Sequence, residues 1–407
     1  MMGRAFQWVR SRRVTVSLVA AAVLAAAGFT GWRHWTGRLL REGEEALAGR
    51  EFAKARELLA RYLSHRPGDA DARLLAARAA RRMRDFDEAL EQLRRCLEDG
   101  GSAEAIDIEY QLLKLQRGDD APVPQLRKRA AWDDALALVV LETLIQYDID
   151  TYRLHQALRD LGAYLERRPD DLQALLGRGF VWERFLYFAD ALGDYRQAVA
   201  AHPNSERARL RLADTLLIVG TPEEALIHYR WLAERWAGRI EVRLGLAQCY
   251  RRLGDAGRAQ ELLDQILGEA PDNGAVLWER GQLALDAQRA AEAEPWLRKA
   301  VEALPYDRRV SYSFYRCLLE LGRDDEAAAV NARVARLDAD VRRLGEVRRE
   351  VMNRPEDAAL RCEGGLLFLR NGEREIGIRW LRLALRFDPT CEAARRALDD
   401  AGVSLPP

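Results

Sequence analysis

The sequence predicts an all-α fold, a solenoid of stacked helix–turn–helix repeats, from three residue types that recur in one register. Alanine recurs at a fixed interval of about 34 residues, which is typical of stacked repeats, and Val123 alone interrupts the series. With Thr36 as position 1 of a frame of that length, the alanine stands at position 20, small residues recur at position 8 and prolines at position 32. Such a fixed period indicates one supersecondary unit stacked many times. The three series are Ala55, Ala89, Ala157, Ala191, Ala225, Ala259, Ala293 and Ala327; Gly43, Ala77, Gly179, Ala213, Ala247 and Gly281; and Pro67, Pro169, Pro203, Pro271 and Pro305.

Each frame of residues 36–341 predicts two antiparallel helices joined by a turn. Small residues at positions 8 and 20 suit the place where the two helices approach most closely. The turn between them shows in Gly220–Glu223, where glycine ends one helix and proline suits the first position of the next. The proline at position 32 ends the second helix, and the Asp or Asn directly after it is expected to cap the next one. These capping candidates are Asp170, Asn204 and Asp272.

This pattern resembles the tetratricopeptide repeat family. The resemblance covers nine frames over residues 36–341 and a further copy at 358–391. It implies a right-handed α-solenoid whose first helices line a concave groove for a protein partner. The frame that begins at 274 is the clearest instance, and its matching residues are Leu277, Gly281, Ala293, Leu297 and Pro305.

Two places depart from the repeat. Frame 104–137 is degenerate, because Val123 replaces the alanine and lies between Pro122 and Pro124, so its second helix should be short or displaced. After Ala327 the apolar residues continue in steps of three and four without a breaker, which predicts one long helix at 324–352. That helix either packs on the final repeat or projects to form a coiled coil with a partner. A last helix at 392–401 should cap the stack.

The N-terminus is predicted to be a separate module. Residues 1–13 are basic, and residues 14–32 carry no charge over a length that suffices to cross a bilayer as a helix. We expect a single-pass anchor with a cytoplasmic N-terminus and the repeats on the periplasmic or extracytoplasmic side. The alternatives are a signal peptide that is cleaved near Ala27, which would release the repeats into the periplasm, and a buried hydrophobic helix.

Composition and motifs give no support for an enzyme. The formal net charge is +0, so there is no basic surplus for nucleic acid. No nucleotide-binding glycine motif, His-based metal motif or nucleophile motif is present, and we expect no catalytic residue, metal or cofactor. The five cysteines contain no C-x-x-C pair and are expected to be small, half-buried residues, with a disulfide or metal role as the alternative. Lysine is rare beside arginine, which we attribute to a GC-rich bacterial genome.

The groove is the remaining candidate site. In the family that this chain resembles, positions 2, 5, 9, 12 and 13 of the first helices usually line the concave face, and the candidates here are taken from positions 5 and 9. Aromatic residues and arginine at such positions are the types enriched at binding hot spots, although packing between repeats is the competing role. The pair of Lys and Asn that grips heat-shock-chaperone C-termini is absent from every frame. The candidate residues are Glu142, Gln146, Phe180, Asp214, Gln248, Trp278, Gln282, Tyr312 and Arg316.

The sequence therefore predicts a membrane-anchored, non-enzymatic scaffold of the bacterial envelope. It would hold a peptide or a helix of a protein partner in the groove and contact the bilayer through residues 14–32. The alternative is a targeting or assembly subunit that works with a separate enzyme or export machinery, such as a glycosyltransferase or a polysaccharide or secretion complex.

Overall fold

The computed structural model describes residues 30–403, which are almost entirely helical and contain no strand. The chain divides into two compact units, Met1–Leu144 and Ile145–Pro407. The basic segment 1–13 and nearly all of the apolar segment 14–32 lie outside the described residues. Among residues 30–403, no helix combines the length and the apolar character needed to cross a membrane.

The first unit consists of helices that pack mainly on their neighbours in sequence. Its first helix, α1, covers residues 30–48, and the seventh, α7, continues across the boundary into the second unit. The intervening helices and α7 are α2 (Phe52–His65), α3 (Ala70–Arg82), α4 (Phe86–Glu98), α5 (Ala103–Gln116), α6 (Val123–Ala130) and α7 (Ala135–Asp150).

The second unit continues the same alternation of first and second helices. Each helix packs on the one that follows it from α8 to α21. The helices are α8 (Leu154–Arg167), α9 (Leu172–Arg184), α10 (Phe188–Ala201), α11 (Glu206–Val219), α12 (Pro222–Arg235), α13 (Ile240–Arg252), α14 (Ala256–Glu269), α15 (Gly274–Asp286), α16 (Ala290–Ala303), α17 (Arg308–Glu320), α18 (Asp324–Asn353), α19 (Ala358–Arg370), α20 (Arg374–Phe387) and α21 (Glu392–Asp400).

The small residue at position 8 makes room for the side chain at position 24 of the same repeat. A methyl group at Gly281 would lie 2.6 Å from Leu297, and one at Gly179 would overlap the ring of Tyr195. Tyr195 and Leu297 are fully buried. The repeating glycine or alanine thus sets the distance between the two helices of a pair.

The turn between the two helices has the same backbone conformation in every frame. Position 15 adopts a left-handed conformation from residue 50 to residue 322, at intervals of one repeat. Glycine occupies this position at Gly118, Gly220, Gly254 and Gly322. A residue with a Cβ pays a steric cost in this conformation, and glycine avoids that cost. The other frames carry Arg50, Arg84, Tyr152, Leu186 and Gln288.

Helix caps stand one residue later than the sequence analysis placed them. The side chains of Asp171, Ser205 and Asn273 accept hydrogen bonds from the backbone N–H groups at the starts of α9, α11 and α15. The expected caps Asp170, Asn204 and Asp272 were therefore wrong. The chain needs one more residue after the proline to leave the second helix before the next one begins.

The irregular regions show how the repeat is interrupted. Helix α6 has only 8 residues and begins beside Pro122. Helix α18 has 30 residues and buries Leu344, Val347 and Val351 against α19 and α20. From Leu344 to Val351 its apolar side therefore belongs to the core of the C-terminal repeat, whereas Ala327 near its start lies in the cluster formed by α15, α16 and α17.

The C-terminal repeat also contacts the beginning of the second unit. The guanidinium of Arg361 donates to the carbonyl oxygens of Thr151 and, at 2.8 Å, Pro355. The ring of Tyr152 meets that of Trp380 edge-on, with 5.4 Å between centroids. Such contacts between distant repeats are additional to the neighbour-to-neighbour packing of a solenoid. We call this set of contacts the closing contact.

Candidate partner-binding face

The first helices of the second unit form one continuous layer. Helices α9, α11, α13, α15 and α17 each contact the next in this order. Between residues 172 and 320 of the structure, consecutive second helices do not approach one another as closely. Helices that crowd together on one side of a stack lie on its inner side, so we call the solvent-facing side of these five helices the inner face.

The predicted groove residues differ in where they lie and what they contact. Glu142 belongs to the first unit, where it forms ion pairs with Arg50, at 3.1 Å, and with Arg82. Gln146 belongs to the second unit and is exposed. The other seven lie on the helices of the inner face. The candidate set is therefore split between two units, and Glu142 already serves the packing of the first.

Trp278 and Gln282 connect neighbouring repeats. The indole N–H of Trp278 donates to Ser313 Oγ at 3.0 Å, and the amide of Gln282 donates to the same oxygen. Trp278 also packs on the buried cluster of α15, α16 and α17, with the Arg309 guanidinium 5.1 Å from its ring centre. These two side chains shape the face, but much of their surface already contacts the repeats themselves.

Phe180, Asp214 and Gln248 are also partly engaged. The Arg184 guanidinium lies 4.7 Å from the ring centre of Phe180. The hydroxyl of Tyr229 donates to Asp214 at 2.5 Å, and burial raises the pKa of Asp214 although that hydrogen bond opposes the shift.

The amide of Gln248 donates to Glu279 Oε2 at 3.5 Å. Together, these contacts give the polar side chains in the middle of the inner face partners within the protein itself.

Helix α17 differs, because its inner side is open. Tyr312 and Leu319 are 48% and 45% exposed, and Arg316 between them is also exposed. Arg316 lies 3.5 Å from Glu320 on its own helix, and Tyr312 lies beside Tyr315, with 6.1 Å between ring centres. Aromatic, aliphatic and guanidinium groups thus stand together within reach of solvent. We call Tyr312, Arg316 and Leu319 the open strip.

A set of ion pairs between consecutive first helices was missed by the sequence analysis. Position 12 of one repeat pairs with position 6 of the next, so the two partners always stand 28 positions apart in the chain. Glu109 of the first unit and Glu279 of the second are each 1% exposed, so these two carboxylates are buried. The sequence signal was an opposite charge at that constant separation. The pairs are Arg81–Glu109, Glu183–Arg211 and Arg251–Glu279.

The inner face carries side chains of several chemical kinds. It offers aromatic rings, guanidinium groups and amides, which bind peptides through stacking, charge-assisted hydrogen bonds and backbone pairing. Over residues 30–403, no three His, Cys, Asp or Glu side chains are grouped so that they could hold a metal ion.

Comparison with known proteins identifies the repeats. Sequence models of the tetratricopeptide repeat match residues 46–116 and residues 188–240 and 244–308. No curated protein is detectably similar to the chain.

Similar solved structures share low sequence identity with the chain. PilW, described as a widely conserved type IV pilus biogenesis factor, is 16% identical with a TM-score of 0.43, over 50% of this chain and 93% of that one. A tetratricopeptide repeat protein from Parabacteroides merdae is 17% identical with a TM-score of 0.34, over 70% and 98%. A chain of the APC/C hetero-tetramer Cut9–Hcn1 is 15% identical with a TM-score of 0.40, over 90% of both chains. The chain thus contains tetratricopeptide repeats, at residues 46–116, 188–240 and 244–308.

Proposed function

We propose that the chain is a non-enzymatic scaffold that binds a segment of a protein partner along the inner face of the second unit. Tetratricopeptide repeats are typical of protein-interaction scaffolds. The observation that carries the proposal is the open strip, where Tyr312, Arg316 and Leu319 are exposed on one side of α17. Tyrosine and arginine are among the residue types enriched at the few positions that carry most binding energy in protein interfaces.

The break in the repeat explains why the strip is open. At earlier junctions, position 9 or 12 of one first helix contacts position 6 of the next, as Gln282 does with Ser313. After α17 the next first helix would begin at 342, but α18 runs through that point to Asn353. The equivalent residue, Val347, is buried in the C-terminal core. Arg316 and Leu319 therefore face solvent where another repeat would have covered them.

The most direct experiment places a photoreactive amino acid at the open strip in living cells. With the probe at Tyr312, we expect a covalent adduct to a defined partner, identified by mass spectrometry. The matched control carries the probe at Ile227, an exposed residue on the second helix α12. An adduct pattern that is the same at both positions would contradict binding at the inner face.

We further propose that residues 14–32 tether the scaffold to a bacterial membrane, with the repeats on the extracytoplasmic side. The support is the sequence itself, which has arginines before an uncharged stretch long enough to cross a bilayer. Fractionation of cells that express the full chain should place it in the membrane, and an extraction-resistant membrane pool should disappear when residues 14–32 are deleted. Recovery of the intact chain in the soluble fraction would contradict the tether.

A further inference from the structure

The last helix of the described chain covers the end of the stack. Helix α21 buries Ala394 and Leu398 against α19 and α20, in a cluster that includes Ile378, Leu381 and Ala384. Because every repeat buries its apolar face against a neighbour, the terminal repeat needs such a cover to remain soluble and ordered. The cover is short, with 9 residues in α21.

Two cysteines meet where this cover joins the stack. Cys362 lies on α19 and is buried in the same cluster, while Cys391 is the residue before α21 and is partly exposed. Both side chains pack in the one apolar cluster where α19, α20 and α21 meet, and the neighbouring Cys391 thiol contributes to the raised pKa of Cys362. The other cysteines are placed differently. Cys96 belongs to the first unit, and Cys249 and Cys317 are on helices α13 and α17, separated by two repeats.

We propose that Cys362 and Cys391 are a modification site, at which a disulfide bond fastens the covering helix α21 to α19. The oxidant is a disulfide compound, either a small-molecule disulfide or a disulfide-bearing oxidoreductase. The Cys391 thiolate attacks one sulfur of the oxidant and breaks its S–S bond. The attacked sulfur stays bonded to Cys391 as a mixed disulfide, and the other sulfur leaves as a thiolate. The Cys362 thiolate then attacks Cys391 Sγ and releases the second half of the oxidant. Two thiols lose two protons and two electrons, and the oxidant is reduced to two thiols.

The order of the two steps follows from the surroundings. Burial, together with the neighbouring Cys391 thiol, raises the pKa of the Cys362 thiol to about 12, so few Cys362 thiolates are present at neutral pH. Cys391 is the more exposed of the two, and an external disulfide reaches it first. The second step takes place inside the protein, where the high local concentration of Cys362 compensates for its low thiolate fraction.

The bond would change the end of the stack more than its middle. Without the bond, α21 is held by Ala394, Leu398 and a few neighbours, and a helix this short frays readily. With the bond, residues 362–391 form a closed loop, and opening of α21 no longer separates it from α19. Redox state would therefore set how often the apolar end of the C-terminal repeat is exposed.

The test uses the purified full chain equilibrated with oxidised glutathione. We expect the loss of two free thiols per chain, a mass lower by two hydrogen atoms, and a cross-linked peptide that joins Cys362 to Cys391. Cleavage by trypsin after Arg395 and Arg396 on α21 should slow about tenfold on oxidation and recover with dithiothreitol. Recovery of all five thiols after oxidation would overturn the proposal.

Two variants separate the pair from general oxidation. Cys362→Ser should stop at a stable glutathione adduct on Cys391, whereas the wild-type chain should resolve that adduct. Cys249→Ser, which removes a buried cysteine elsewhere in the unit, should leave the cross-link intact. A persistent Cys391 adduct in the wild-type chain, or equal cross-linking in Cys362→Ser, would show that Cys362 does not reach its neighbour.

Discussion

Single buried charges connect consecutive repeats, and Glu109 is the clearest case. It accepts from Arg78 Nε at 2.6 Å and from Arg81 Nε at 2.7 Å. Burial by itself would raise the pKa of Glu109, but the two guanidinium groups outweigh it and hold the pKa below its ordinary value. Removing one member of such a group leaves the others buried without compensation, which costs more than the group contributed.

We therefore expect Glu109→Gln to destabilise the first unit by about 3 kcal/mol or more, measured by chemical denaturation together with hydrogen exchange of α3 and α5. The pKa of the Glu109 carboxyl is lower in the folded chain than in the unfolded chain, where it is about 4.3. The ionised carboxylate therefore stabilises the fold fully above the unfolded-state pKa, and this contribution is lost as the pH falls through the folded-state pKa. The difference between wild type and variant should therefore shrink below pH ~4. A difference that does not change with pH would contradict this account. Glu57→Gln, at an exposed position on α2 of the same unit, is the control and should have no measurable effect.

The left-handed turn residues offer a stabilising change. Leu186 holds a φ of 62° and is 71% exposed, so its side chain contributes little that would offset the backbone strain. We expect Leu186→Gly to stabilise the second unit by about 1 kcal/mol, seen as a higher denaturation midpoint. The reverse change, Gly254→Ala at the same position of another repeat, should destabilise it. A loss of stability in Leu186→Gly would mean that the leucine side chain makes a packing contribution larger than the strain.

At the scale of elements, α18 shows what the length of one helix does to the array. Its 30 residues carry the chain past the point where the next repeat would begin. Val347 on this helix is fully buried in the C-terminal core, whereas Val341 is 57% exposed. The same helix therefore supplies a sensitive position and a matched control.

Val347→Asp should destabilise the second unit by several kcal/mol, because it places an unpaired carboxylate in an apolar cluster. Val341→Asp should change the stability little. Circular dichroism during denaturation measures both. Equal effects of the two substitutions would mean that α18 does not pack as described, and would revive the alternative of a projecting helix.

The sequence predicted best those elements whose characteristic residues recur at the interval of the repeat. The alanine, glycine and proline series predicted the helix pairs, because each series reports a contact inside one repeat, such as Gly281 against Leu297. The ion pairs between consecutive first helices were missed because their charges are reversed from one junction to another. Position 12 is arginine and position 6 is glutamate in the pair Arg81–Glu109, whereas position 12 is glutamate and position 6 is arginine in Glu183–Arg211. A search for identical residues does not detect a pattern of that kind.

At the scale of the molecule, the closing contact could not have been predicted from the repeat. Thr151 and Arg361 are 210 positions apart, and no period relates them. Their meeting depends on the accumulated geometry of all the repeats between them. The same holds for the open strip, because the exposure of Arg316 and Leu319 follows from the path of α18 and not from their residue types.

The closing contact can be tested through Arg361, which is fully buried and whose pKa burial lowers to about 10. Arg361→Met keeps the length of the side chain but leaves the carbonyls of Thr151 and Pro355 without this donor. We expect a loss of about 1–3 kcal/mol and faster hydrogen exchange around residues 150–154. Arg382→Met, at an exposed position on α20, is the control. Unchanged exchange at 150–154 in Arg361→Met would contradict the closing contact.

The central claim is that the open strip of the inner face binds the partner, and an affinity measurement tests it most directly. Once the cross-linked segment is identified, its affinity is measured for the wild-type chain, for Tyr312→Ala/Arg316→Ala, and for the control Ile227→Ala/Arg230→Ala on α12. The account predicts at least tenfold weaker binding by the first variant and unchanged binding by the control, because buried aromatic and arginine contacts dominate interface energies. Binding that is unchanged in Tyr312→Ala/Arg316→Ala, or weakened equally in both variants, would contradict it.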